Sequence, residues 1–158
     1  MTNRPDPVQA ADAEAIGVMR ALMRDARSAA LAWSDPVDGT PGISRIAFGL
    51  VNGVPMTLIS ALAPHFAALR KAPVCAVMLG EVGAKGDPLT HPRLMLRARA
   101  EFVADRASCR REWLEGHPMA ALYVDFADFA FVRLYPESGL LNAGFARAYR
   151  LTPEDMKS

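Results

Sequence analysis

The dipeptide Asn52-Gly53 lies between two apolar runs, residues 43–51 and 54–60. A two-residue type I′ turn needs positive φ at both central positions, and Asn-Gly meets that need at least steric cost. The turn fixes a register. Val51 faces Val54, Gly49 faces Met56, Ala47 faces Leu58 and Arg45 faces Ser60. Residues directly opposite share a face of the sheet. The reading therefore sets a guanidinium beside a hydroxyl where the second strand gives way to a helix. Helix N-termini offer unpaired N–H groups and a positive dipole end to anions. Arg45, Ser60 and that helix start together form a phosphate cradle. The same two residues also read as an exposed strand charge and a helix cap.

The length, 158 residues, suffices for one domain with a full core, and no linker divides it. The expected unit is residues 1–158, with 1–6 and 152–158 as flexible tails. Hydrophobic residues make up 51% and charged residues 22%, the proportions of a soluble globular chain. A net charge of +1 argues against a nucleic-acid footprint. No apolar run approaches about 18 residues, so no membrane span is expected. The N-terminal stretch lacks a hydrophobic signal core, and Cys75 and Cys109 have no metal-ligand spacing around them. A cytoplasmic protein without a metal, with both thiols buried, follows as the expectation.

Asp6-Pro7 reads as a helix cap and first turn, with Ile16, Met19, Met23, Ala26 and Ala30 as one apolar stripe. This predicts a helix over about residues 7–28. Residues 29–33 begin a strand, and residues 34–42 are dense in turn formers. A helix covers residues 63–71. VCAVML, residues 74–79, is a near-continuous apolar run and reads as a central strand. Residues 92–104 alternate, with Leu94, Leu96, Ala98, Ala100 and Phe102 on one side and Arg93, Met95, Arg97, Arg99 and Glu101 on the other. This is a long strand with one wet or ligand-facing side. A second helix spans residues 105–115, and a short one residues 119–126. A strand over 129–135, a turn at Pro136-Glu137-Ser138-Gly139 and a partner strand over 140–145 complete the chain. Hairpins with inserted helices, and no βαβ alternation, predict a mostly β, α+β fold: an antiparallel sheet closing into a small barrel with flanking helices.

No Gly-rich phosphate loop, nucleophile elbow or histidine pair at metal spacing is present, and the sequence names no catalytic residue. His65, His91 and His117 are scattered. His65 stands out because it falls in the first turn after the cradle. Arg93 and Arg97 share the polar side of the long strand, as anion ligands or as a solvated face. Arg147 follows the last strand.

Four stretches, in order, carry a resemblance: SALAPHFAALRKAP from Ser60, GDPLTHPRLML from Gly86, HPMAALYVDFADFAFVRLYP from His117, and GFARAYRL from Gly144. Together they resemble the pyridoxamine 5′-phosphate oxidase-like, FMN-binding split-barrel proteins, nearest the haem-utilisation branch. The resemblance runs over residues 21–151. It implies a six-stranded split β-barrel that dimerises and holds FMN at the subunit interface. It makes Ser44, Arg45, Ile46, Ser60, His65 and Phe66 candidates for the flavin phosphate. It places Arg93 where the next strand passes the isoalloxazine, and Arg147 in the closing Gly-Phe-x-Arg-Ala element, facing the flavin or an acidic substrate. The implied function is FMN-dependent oxidoreduction of a small substrate.

The chain departs from that pattern at His65-Phe66 and Ala68-Leu69, where the branch shows His-Thr and Asn-Leu. Each lost hydrogen bond to a phosphate costs about 1.5–3 kcal/mol. Two alternatives therefore stand beside the flavoprotein. One is haem binding or breakdown, with His65, His91 or His117 as axial ligand. The other is a non-enzymatic dimer with a decayed flavin site.

Overall fold

The computed structural model describes residues 6–157. Nine strands form one sheet: β1 (Val8–Ala10), β2 (Ser28–Ser34), β3 (Pro41–Ala47), β4 (Gly49–Val51), β5 (Val54–Ser60), β6 (Val74–Leu79), β7 (Arg93–Phe102), β8 (Phe129–Asn142) and β9 (Ala148–Leu151). Three helices accompany them: α1 (Ala13–Asp25), α2 (Pro64–Lys71) and α3 (Ala107–Gly116). The main path runs β1-β9-β8-β7-β6-β2-β3, and β5 adds to β8 while also pairing with β4. The expected mostly β split-barrel fold is present. The strand count is nine rather than six, β1 runs parallel to β9, and the sheet does not close.

The Asn52-Gly53 turn has φ of 51° and 73°, as the turn type demands. Val51 pairs with Val54 and Gly49 with Met56, as expected. The register then breaks. The Phe48 N–H donates to the carbonyl of Arg27 at 3.0 Å, which pulls the chain off the hairpin. Beyond that point β3 pairs with β2, so Arg45 faces Ala30, while Ser60 faces Phe129 of β8. The predicted Arg45–Ser60 pair does not form. Gly49 permits the splay: a Cβ there would stand 3.0 Å from the His117 ring and 3.3 Å from that of Trp113. Those two rings stack, centroids 4.0 Å apart.

Helix α1 starts at Asp12, not at Asp6-Pro7. The Asp12 carboxylate accepts from the Ala15 N–H at 2.7 Å, a side-chain N-cap. Asp6 instead accepts from Val8 N–H and from Arg150, which ties down the start of β1. The Arg27 guanidinium closes the other end of α1 on the carbonyls of Arg24 and Ala26. The core stripe of α1 is Ala15, Met19 and Met23, each under 5% exposed. Strand β6 occupies residues 74–79 and sits centrally between β2 and β7. Pro136 to Gly139 is not a turn. β8 runs straight through it, with a bulge opposite Arg97 and Ala98 that gives Pro136 a tolerated place. Gly139 is needed there because a Cβ would meet the Leu151 and Leu96 side chains at 3.1 and 3.3 Å. The strand ends at Asn142 rather than at residue 145, and the short helix after His117 is a 3₁₀ turn over Pro118–Leu122. Both cysteines are buried free thiols, as expected. Residues 1–5 and 158 of the expected tails lie outside the described residues. The rest of the C-terminal tail is anchored, with Met156 in the core and Thr152 N–H on the Asp155 carboxylate at 2.8 Å.

Candidate functional site

Alternation along the strands sorts the candidate residues onto two sides of the sheet. Ser44 and Ile46 point inward. Ile46 is core, 4% exposed. The Ser44 hydroxyl accepts from the Trp33 indole N–H at 2.9 Å and lies 3.0 Å from His65 Nδ1. His65, on the first turn of α2, is 8% exposed, and burial lowers its pKa below the ordinary imidazole value. Phe66 packs edge-on to Phe102, centroids 5.0 Å apart, with the Arg70 guanidinium over the Phe102 ring. The Ser60 hydroxyl donates to the Asp128 carboxylate at 2.8 Å and accepts from the Leu62 N–H. An acidic partner at that hydroxyl opposes a phosphate. Arg45 points outward, away from His65. The residues expected to grip a flavin phosphate are thus divided between an inner cluster, an acid-paired hydroxyl and an outer arginine.

The remaining arginines lie elsewhere. Arg93 donates to the Leu89 carbonyl at 2.8 Å. Arg147 pairs with Glu14 at 2.8 Å. It immediately precedes β9, five strand steps from β3, or roughly 24 Å along the sheet at ~4.8 Å per step. Arg45, Arg93 and Arg147 do not converge within one chain. The other two histidines are structural. His91 Nδ1 accepts from Gly83 N–H and Nε2 donates to the Lys85 carbonyl, both at 2.8 Å. His117 Nε2 donates to the Arg27 carbonyl at 3.2 Å.

What the fold does assemble is an outer face. One row runs Arg45–Ala30–Met78–Met95–Leu140 across five strands, and the next runs Ile43–Ala32–Ala76–Arg97. Small alanines floor it, and larger apolar side chains stand on it uncovered: Ile43 is 79% exposed, Val74 54% and Met78 49%. Arg45 and Arg97 have no carboxylate partner among the described residues. A groove of about 460 Å³ opens at the β3 end, lined by Ala30, Ile43, Arg45, Met78, Gly80 and Glu81. An apolar floor with one cation on its lip suits a flat, apolar ligand carrying a carboxylate. Met78, Ala30 and Glu81 were not singled out from sequence. The signal was in VCAVML, whose alternate residues had to face something on each side.

The same fold recurs in proteins of known structure. No family model matches the chain. The chain is 32% identical over 122 residues to the non-canonical heme oxygenase HOZ, chloroplastic, of Arabidopsis thaliana, covering 74% of this chain and 36% of that protein. It superposes on a heme binding protein from Mycobacterium smegmatis with a TM-score of 0.81 at 25% identity, over 97% of this chain and 60% of that one. A Clostridium acetobutylicum protein related to general stress protein 26, of the pyridoxinephosphate oxidase family, matches at TM-score 0.71 and 15% identity, over 92% of this chain and 99% of that one. The chain has the split-barrel fold of the pyridoxamine 5′-phosphate oxidase-like proteins. Among the proteins it resembles, one is named as a heme oxygenase and one as a heme binding protein. The chain spans about a third of the plant relative and three fifths of the mycobacterial one. No helix among the described residues is long and apolar enough to cross a membrane.

Proposed function

We propose that the protein binds haem on its outer sheet face, between two copies of the chain. The observation that carries this reading is the uncovered apolar face ending in Arg45, in a chain whose relatives are named for haem. Arg45 would hold a propionate, and Ala30, Ala32, Ala76 and Met78 would support the macrocycle. The bound group would supply redox chemistry at iron, and the chain would supply the carboxylate grip and an apolar surface that excludes water, but not the expected axial histidine: His65 lies on the opposite side, and His91 and His117 are held by backbone groups. A second copy is the natural cover, because a symmetric partner buries the same patch on both subunits. It would also bring together arginines that stand far apart in one chain. Two buried free thiols suit a reducing, cytoplasmic setting.

The FMN reading keeps one supporting observation, the fold shared with the pyridoxinephosphate oxidase family protein. Against it stand Ser60, held by Asp128, and Arg45, which faces away from His65. A decayed flavin site would fit both facts. Parallel titrations of the purified protein with haem and with FMN separate the three. The expected result is a haem Soret shift saturating at one equivalent or less per chain, with no change in FMN fluorescence. Flavin quenching without a Soret shift would reverse the assignment. Neither signal would favour the non-enzymatic dimer.

A further inference from the structure

A second cleft, about 540 Å³, opens beside the Arg45 groove, between the last two turns of α1 and the chain that leaves β6. Its helical wall is Val18, Ala21, Leu22 and Ala26, all half-buried. These four recur at helical spacing and flank the core stripe of Ala15, Met19 and Met23, with Val18, Leu22 and Ala26 packed against the core on one side and open to the cleft on the other. Pro92 closes the opposite side. The two clefts share a wall made of Ser28, Gly80 and Glu81. Gly80 lets the chain turn tightly against Pro92 at the shared corner. Its φ is +120°, and a Cβ there would strike the Pro92 carbonyl oxygen at 2.4 Å.

We infer that the α1 cleft is a second compartment of the same ligand site, which takes the apolar edge of a bound tetrapyrrole while Arg45 holds its acidic edge. This rests on the haem reading above. Charge gives the compartments a direction. Arg45 stands on the outer lip, and Glu81, with no cationic partner among the described residues, stands at the corner between them. A carboxylate drawn to Arg45 is repelled at Glu81, so the end that passes the corner is the uncharged one. The helical stripe offers that end methylene and methyl contacts, and the two charged side chains at its foot are engaged: Asp25 by Arg24 at 2.7 Å, and Arg27, whose guanidinium donates to the Arg24 and Ala26 carbonyls.

The test uses protoporphyrin IX and haem as probes, titrated into the full chain and into Leu22→Trp, Ala21→Phe and Arg45→Ala. Leu22→Trp and Ala21→Phe fill the cleft from two positions on a half-exposed helix face. Thermal unfolding of each variant checks that the fold is kept, and a variant that is kept is the one read. The expected result is a roughly tenfold or greater weakening of both probes by either filling variant. Protoporphyrin dipropionate ester, which lacks the acids, should lose affinity in the filling variants and be indifferent to Arg45→Ala. Unchanged porphyrin affinity in a folded filling variant overturns the second compartment and leaves the haem reading standing. No binding of either probe by the unsubstituted protein overturns both.

Discussion

His65 Nδ1 lies 3.0 Å from the Ser44 hydroxyl, inside the sheet and on the side opposite Arg45. The imidazole is buried, and burial disfavours its charged form, so its pKa is lowered from the ordinary 6.5. In the unfolded chain the ring takes a proton near 6.5. The folded protein resists that proton until lower pH. The unfolded state therefore binds more protons in that window, and stability falls as pH drops below 6.5 toward the folded value. Above 6.5 the contribution is fully present. Denaturation midpoints measured from pH 8 to pH 5 should decline for the wild-type chain below 6.5, and a His65→Gln variant should show a shallower decline. Parallel curves would mean the ring is not buried neutral.

Arg45 decides whether the outer face is a ligand site. A hydrogen bond to a charged group is worth about 1.5–3 kcal/mol. Removing it should weaken haem by roughly 10- to 100-fold, at ~1.4 kcal/mol per tenfold. Arg45→Ala is expected to raise the dissociation constant in a Soret titration by that factor. Arg45→Lys should recover part of the loss, since charge survives without the forked geometry. Arg147→Ala should leave the same titration unchanged in a single-chain site. A loss there equal to that at Arg45 would show that the partner's copy of this region reaches the ligand.

Legibility followed how local each determinant was. The Asn52-Gly53 reversal was readable because positive φ at two adjacent residues is a property of those residues. The Arg45–Ser60 pairing was not. It depends on a hydrogen bond from Phe48 to Arg27 and on the Trp113–His117 stack behind Gly49, contacts between residues far apart in the chain. Pro136-Glu137-Ser138-Gly139 shows the same limit. A proline followed by a glycine marks a turn and a bulge alike, and only the neighbouring strand β7 separates them. Asp6-Pro7 and Asp12 both carry capping chemistry, and the strand partner offered by β9 to residues 8–10 settled which was used. The family resemblance supplied the fold, while the side chains that meet at the outer face became visible only with the register of five strands.

Gly80 joins the strand β6 to the loop that lines both clefts. At φ +120° an alanine is strained whatever the space, and here its Cβ would also sit 2.4 Å from the Pro92 carbonyl and 3.0 Å from Arg93 Cα. Both obstacles are backbone, so relief requires the loop to move. Gly80→Ala should lower unfolding free energy by about 1–3 kcal/mol, the usual range for a strained non-glycine residue. Gly83→Ala is the control, because the nearest atom to its Cβ is the end of the His91 ring at 3.2 Å, a side chain that can yield. Chemical denaturation of the two variants should rank them in that order.

Ile43 and Met78 test the second copy. Both stand largely exposed on the outer face of one chain, 79% and 49%, so a polar replacement there removes little intrachain packing. In a pair of chains that bury this face against itself, the same replacement places two carboxylates in an apolar contact, where unpaired charge is costly. Ile43→Glu and Met78→Glu are therefore expected to separate the chains while leaving the thermal midpoint of the isolated fold nearly unchanged at low protein concentration. Sedimentation velocity reads the first effect and circular dichroism the second. A wild-type chain that sediments as a monomer at tens of micromolar would remove the partner from the proposed site. A wild-type dimer untouched by either substitution would move the interface to another face and leave the Arg45 groove open to solvent.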